Sequence, residues 1–254
     1  MEIHRHSHHS GHKRSKKEKW RDRIWDFIML FLAVFCGFIA ENMREHYIED
    51  KREKKYIRSV VKELATDTAW MNSYLQDQQA SVQALDSVIF LLKKNNTDSN
   101  SRKRIYYLAR MAIKLSSPNK VNYAAFDQMR YSGNLRLVKK QATVDSISRY
   151  YFGAKDIEQL NETIMQRQSA LVEFEGKVFD GTVFQTMLGL NNFEFKEPAG
   201  SPALVTADKG LINDFITRAH YLISANVYSQ VYARRQKEAA VWLIAYLKKE
   251  YCLK

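Results

Sequence analysis

Residues 57–92 read IRSVVKELATDTAWMNSYLQDQQASVQALDSVIFLL. Ile57, Val61, Leu64, Thr68, Met71, Leu75, Gln78, Val82, Leu85, Ile89 and Leu92 recur in alternating steps of four and three, sustained across five heptads. Such steps keep a stripe on one side of a helix, and a stripe of this length belongs to a coiled coil or bundle. Thr68 and Gln78 are its only polar members, and Leu75 and Leu85 are expected in the core.

Toward the C-terminus the pattern predicts further helices. The turn and cap formers Asn95 to Ser101 end the first one. A second runs from Arg102 to Leu115 and stops at Ser116-Ser117-Pro118, because proline lacks the donor a helix needs. A short piece covers Tyr123 to Tyr131 and breaks at Ser132-Gly133-Asn134. A long helix is expected from Gln141 to Met187, with Ile147, Tyr150, Ala154, Ile157, Leu160, Ile164, Leu171, Phe174 and Val178 on its stripe. Leu188 to Ala207, which holds Gly189, Pro198, Gly200 and Pro202, reads as a loop. The last helix runs from Asp208, a natural N-cap, to Tyr251. No period-2 segment persists, so the fold class is all-α: an antiparallel bundle of long helices over residues 57–254.

Toward the N-terminus, residues 43–56 are charged and free of breakers, and they read as a helical stalk. Before them Phe27 to Ala40, FIMLFLAVFCGFIA, is fourteen residues without a polar side chain. At the helical rise this covers about 21 Å, less than a bilayer's hydrocarbon core, so length alone also fits a buried core helix or a signal peptide. Ile24 and Trp25 extend the run, Trp20 and Trp25 suit an interfacial belt, and Arg21, Arg23 and Arg44 can snorkel. Residues 24–42 are therefore expected to span a membrane once. Phe38 is too large for the −3 position of a cleavage site before Glu41, and Phe35 disfavours a lipoprotein site at Cys36, so the span is expected to be retained. Eight Lys/Arg precede it, against five in the fifteen residues after it, which predicts a cytoplasmic tail. That tail, residues 1–23, is basic, rich in histidine and expected to be disordered.

Across 254 residues, 45% are apolar, and 40 basic residues outnumber 28 acidic ones, giving a net charge of +12. With only 9 Gly and 3 Pro, the composition excludes a turn-rich β sandwich. Its basic excess suits an anionic partner, here lipid headgroups at the tail, with about 1 kcal/mol of attraction per basic residue. Nucleic acid is not expected, since Trp20 is the tail's only aromatic residue. Cys36 and Cys252 build no disulfide framework. His4, His6, His8, His9 and His12 are dense but lack Cys or carboxylate companions to fix a metal geometry, so neither metal nor cofactor is expected. There is no His-Glu-x-x-His, no Glu-x-x-His, no phosphate-binding glycine loop and no haem attachment motif. His46 falls in the stalk and His220 beside Tyr221, neither with a triad context, and no enzyme is expected.

The stretch FLAVFCGFIAENMREHYIEDKREKKYIRSVVKELATDT, with the later AFDQMRYSGNLRLVKK and SRYY, resembles a domain family of unknown function. Its members are single-pass, N-terminally anchored helical envelope proteins of Gram-negative bacteria. The matching residues are Glu41, Asn42, Arg44, Glu45, Leu64, Asp67, Thr68 and the Ser132 to Leu135 turn, within residues 27–155. The resemblance implies a bacterial inner-membrane protein with a helical periplasmic domain, and it carries over no site residue.

The central third crowds Tyr and Phe with interleaved Arg. Tyr123, Arg130, Tyr131, Arg149 and Tyr150 are the candidate ligand-binding residues, through cation–π stacking and amphipathic Tyr edges. The same tyrosines also suit a bundle core with hydroxyls at its rim. Two functions stay open: a scaffold or interaction module that binds another envelope protein, and a sensor-type bundle that binds a ligand and signals through a partner. Homo-oligomerisation stays open as well. An exposed apolar patch would favour the first, a closed Tyr/Arg cavity the second.

Overall fold

The computed structural model describes residues 16–94, 98–116, 118, 120–189 and 194–253. Its order is α1 (Lys16–Lys93), α2 (Ser99–Leu115), α3 (Ala124–Tyr131), a 3-10 turn (Asn134–Leu137), α4 (Gln141–Glu175), α5 (Gly181–Met187) and α6 (Lys209–Glu250). One isolated bridge, Leu188 to Phe195, is the only β pairing among the described residues. The chain divides into two units at residues 52 and 53.

The first unit holds one helix long and apolar enough to cross a membrane, with none of its apolar window buried. Trp25, Phe27, Leu30, Val34 and Phe38 are all exposed, a surface that water would not leave uncovered. The helix starts at Lys16, inside the stretch expected to be a disordered tail. Neither glycine nor proline stands between Lys16 and Phe27 to stop the apolar run propagating its helix backward. The histidine cluster lies outside the described residues. In the stalk, Arg44 pairs with Glu41 at 2.6 Å and His46 approaches Glu49 at 3.6 Å.

The second unit is an antiparallel helical bundle of four columns: the C-terminal part of α1, α2 followed by α3, α4, and α6. Side-chain contacts fix the directions. Along α1, Ser81, Asp67 and Glu63 meet Ala112, Asn122 and Ala125 in turn, so the α2–α3 column descends as α1 rises. Tyr74 meets Ser229 and Glu53 meets Tyr251, so α6 also runs against α1. Gln236 reaches Tyr150 and Arg218 reaches Ala170, which makes α4 and α6 antiparallel. The bundle begins one helical turn before the expected boundary, because buried Glu53 accepts from Lys139 N at 3.1 Å and from the Tyr251 hydroxyl at 2.6 Å.

Two apolar clusters fill the bundle. One gathers Leu85, Val88, Tyr106, Leu171, Phe179, Phe215 and Leu222; the other gathers Ile57, Leu64, Phe126, Met129, Ile147, Tyr151 and Leu243. Between them the helices bury Gln78, Ser81, Asn226, Ser229 and Gln230, a polar belt across the middle.

Three sequence expectations change. The core stripe of α1 is Ile57, Val60, Leu64, Asp67, Met71, Tyr74, Gln78, Ser81, Leu85, Val88 and Leu92. One of its two seams is thus displaced by one residue, although Val82 of the expected seam is buried as well, and Leu75 is only half-buried beside Tyr74. The expected seam followed hydropathy, whereas the observed one buries Asp67, Tyr74 and Ser81 because each finds a partner on another helix. Second, α4 ends at Glu175 rather than reaching Met187. Gly176 caps it, and Asp180 accepts from Thr182 N at 2.8 Å to start α5 as a separate helix. Third, the second helix starts at Ser99, capped by Asp98, whose carboxylate accepts from Asn100 N and Ser101 N at 3.0 Å each. The break after Tyr131 falls where expected: Gly133 takes the left-handed conformation at φ 69°, which glycine adopts without steric cost.

Candidate functional site

Proline at 118 prevents α2 from running on into α3, and an interrupted helix leaves backbone groups without partners. Side chains of the neighbouring columns supply them. Ser81 Oγ adds a second bond at 2.8 Å to Ala112 O, which already accepts from Ser116 N, and Gln168 Nε2 donates to Ile113 O at 2.8 Å. On the far side of the break, Asp67 accepts from Asn122 N at 3.2 Å and Glu63 accepts from Ala125 N at 2.6 Å. Tyr150 and Tyr151 hold the same two carboxylates from α4: their hydroxyls donate to Asp67 Oδ2 at 3.3 Å and to Glu63 Oε2 at 3.2 Å. Burial pushes the Asp67 carboxyl up to about 6, only partly countered by the Asn122 amide and Tyr150 hydroxyl that favour its charged form. Glu63 is raised for the same reason, and burial beside these carboxylates raises the Tyr150 and Tyr151 phenols. These bonds make the cluster a staple across the helix break.

The five candidate ligand residues do not converge. Tyr150 is buried in the staple. Tyr123 and Arg130 border a small pocket of about 180 Å3, in which burial and the adjacent Glu158 carboxylate raise the Tyr123 phenol. Tyr131 is exposed, with the Arg130 guanidinium 4.6 Å over its ring. Arg149 is exposed on another face of α4. The pocket at Tyr123 and Arg130 is open to solvent rather than closed.

Arg149 instead borders a groove of about 580 Å3 between α4 and α6. Its floor holds Tyr150, Ile157, Gln236 and Leu243, and it stays open because Gly153 and Ala239 put almost nothing into it. Trp242, 58% exposed and stacked flat on Tyr246 at 5.3 Å, walls one end. Tyr232, packed against Tyr228 at 5.1 Å, walls the other. The separation of ten positions between these walls spans about 15 Å of helix. Arg149, Arg235 and Asp156 ring the groove, an excess of one positive charge. Tyr221, Val227, Tyr228, Val231, Val241 and Trp242 are all exposed on α6, so the groove sits in an apolar stripe along the outer face of that helix.

Sequence reasoning named Arg149 and Tyr150 but missed Trp242, Tyr232 and the small residues Gly153 and Ala239. The signal was present in α6, whose apolar residues are too many for one stripe: Tyr221, Tyr228 and Trp242 lie off the core face at multiples of a heptad. Among the described residues no group of three or more His, Cys, Asp and Glu side chains is arranged to hold a metal ion. Compared with family models, with curated proteins and with solved structures, the chain matches none.

Proposed function

We propose that this chain is a non-catalytic, membrane-anchored envelope protein whose bundle acts as an interaction module, docking a helical segment of another envelope protein in the α4–α6 groove. The observation that carries this reading is the groove itself: an open apolar trough with rigid aromatic ends, set in an exposed stripe on a helix whose opposite face already fills the core. An amphipathic helix fits a trough of this length with two anchors a heptad apart, about 10 Å. Its flanks carry acidic residues to meet Arg149 and Arg235.

The anchor supports the same reading. One apolar, unburied helix, a basic N-terminal flank and the resemblance of residues 27–155 to single-pass envelope proteins favour the inner membrane, with the tail cytoplasmic and the bundle periplasmic. The basic tail then lies against anionic headgroups.

Site-specific photocrosslinking tests the docking. A benzophenone side chain at Tyr232 or Trp242 is expected to give one discrete adduct in intact cells, and Ala239→Arg, which fills the trough, is expected to abolish it. The same probe at exposed, polar Gln83 on α1 should give none. Equal labelling from Gln83, or an adduct indifferent to Ala239→Arg, overturns the proposal.

A further inference from the structure

A second cleft lies away from the α4–α6 groove, where α2, the end of α4 and α5 meet. It measures about 760 Å3 and is lined by Arg110, Val172, Glu175, Phe179, Phe184 and Leu188, among others. Two polar groups in it are unsatisfied. Glu175 is 4% exposed, and its Oε1 has no hydrogen-bond partner. The Nε of Arg110 is buried without one as well. Buried polar groups in native proteins are nearly always paired, and leaving a carboxyl unpaired is costly.

These two side chains do not simply pair with each other. The Arg110 guanidinium is held by aromatic faces, 5.6 Å from the Phe184 ring and 5.2 Å from the Phe195 ring. Glu175 feels the Arg110 charge, but burial outweighs it and pushes the carboxyl up to about 7. The cleft thus presents an acid and a guanidinium, each with spare hydrogen-bonding capacity, beside the apolar surfaces of Val172, Phe179 and Phe184.

From this juxtaposition we infer that the cleft binds a small zwitterion with an apolar body, of the chemistry of an aromatic or branched-chain amino acid. The ligand's ammonium donates to Glu175, its carboxylate accepts from the Arg110 fork, and its side chain lies on Phe179 and Phe184. Binding an ammonium requires Glu175 to be ionised, so protons are released as the ligand enters near neutral pH. This inference is independent of the groove: one can fail while the other stands.

Calorimetry on the full chain in lipid nanodiscs tests it. The probes are L-phenylalanine and L-leucine, with 3-phenylpropionate and 2-phenylethylamine as analogues carrying a single charge. At least one amino acid is expected to bind about tenfold or more tighter than either analogue. Its affinity should rise between about pH 6 and about pH 8, as Glu175 ionises. Glu175→Gln should weaken the amino acid about tenfold and flatten that pH dependence, while leaving 3-phenylpropionate unchanged. Arg110→Gln should spare 2-phenylethylamine instead. Val172→Trp, at a partly exposed position on the rim, should block all binding without touching either charged group, which covers the case of a Glu175 variant that does not fold. No heat from either amino acid at millimolar concentration, equal affinity for the single-charge analogues, or affinity indifferent to all three substitutions overturns the inference.

Discussion

The backbone amide of Asn122 donates to Asp67 Oδ1 across 3.2 Å, and this bond ties the far side of a broken helix to the middle of α1. Asp67 is 3% exposed, and its other oxygen accepts from Tyr150 on α4. One carboxylate therefore holds three columns of the bundle at the level where α2 has stopped and α3 has not begun. The cost is desolvation, which leaves the carboxyl titrating at about 6.

The pH dependence follows with a definite sign. In the unfolded chain this group titrates near 3.9, so between about 4 and about 6 the folded state binds more protons. Stability therefore falls as pH rises through that window and stays lower above it. Asp67→Asn keeps an acceptor for Asn122 and cannot ionise, so it should flatten this part of the profile. Asp67→Ala leaves the Asn122 amide and the Tyr150 hydroxyl unpaired and should cost about 2–4 kcal/mol. Urea midpoints across the pH range check both. A profile for Asp67→Asn as steep as that of the native chain would contradict the assignment.

Glu175 should act in an overlapping window that reaches higher. Its carboxyl is raised to about 7 by burial, so its contribution to stability also falls with rising pH, from the ordinary glutamate range near 4.3 up to about 7. Glu175→Gln is expected to remove the slope above about pH 6 and to shallow it below, where Asp67 and the raised Glu63 still contribute. The double variant should lose both contributions if the two sites are independent, leaving that of the raised Glu63. The same urea series resolves the two contributions; a single-step loss on either substitution alone would show that they are coupled.

The register of α1 shows what could be read beforehand. Helix class, antiparallel order and the breaks at Pro118 and Gly133 were legible, because proline, glycine and apolar period act locally. The α4 stripe was legible too, and Leu160 is its only member left half-buried. The second seam of α1 was not, because Asp67 and Ser81 look like surface residues until the Asn122 amide, left over by the helix break, and the Ala112 carbonyl are placed beside them. The groove was illegible for the converse reason. It is made by what Gly153 and Ala239 lack, and only tertiary packing sets those two positions opposite each other.

That displaced seam gives a stability prediction. Leu85→Ala, at a position 1% exposed, should cost about 2–5 kcal/mol, and Val88→Ala should be clearly destabilising. Leu75→Ala should cost less than Leu85→Ala, because Leu75 already meets solvent. Tyr74→Phe removes only the hydroxyl that donates to Ser229 at 2.8 Å and should cost about 1 kcal/mol. Chemical denaturation of the four variants ranks them. Leu75→Ala as damaging as Leu85→Ala would restore the seam that hydropathy suggests.

Membrane topology is tested by the two cysteines, which stand at opposite ends of the chain and are both exposed on the protein itself. Cys36 lies inside the apolar run Phe27 to Ala40, and Cys252 follows α6. If the run spans the bilayer, lipid covers Cys36, and a membrane-impermeant maleimide should modify it only after detergent is added. With the tail cytoplasmic, Cys252 should react from the periplasmic side of intact spheroplasts. Orientation rests on eight Lys/Arg before the span against five in the fifteen residues after it, and acidic residues weigh little in that balance. Replacing Lys13, Arg14, Lys16, Lys17 and Lys19 with Gln leaves three basic residues in the flank, Arg5, Arg21 and Arg23, and reverses the bias. Labelling of Cys252 from outside should then drop to a fraction of the molecules, the mark of mixed topology. Rapid labelling of Cys36 without detergent would refute the span. A Cys252 that reacts only after lysis in the native chain would put the bundle in the cytoplasm and move the partner of the α4–α6 groove there with it.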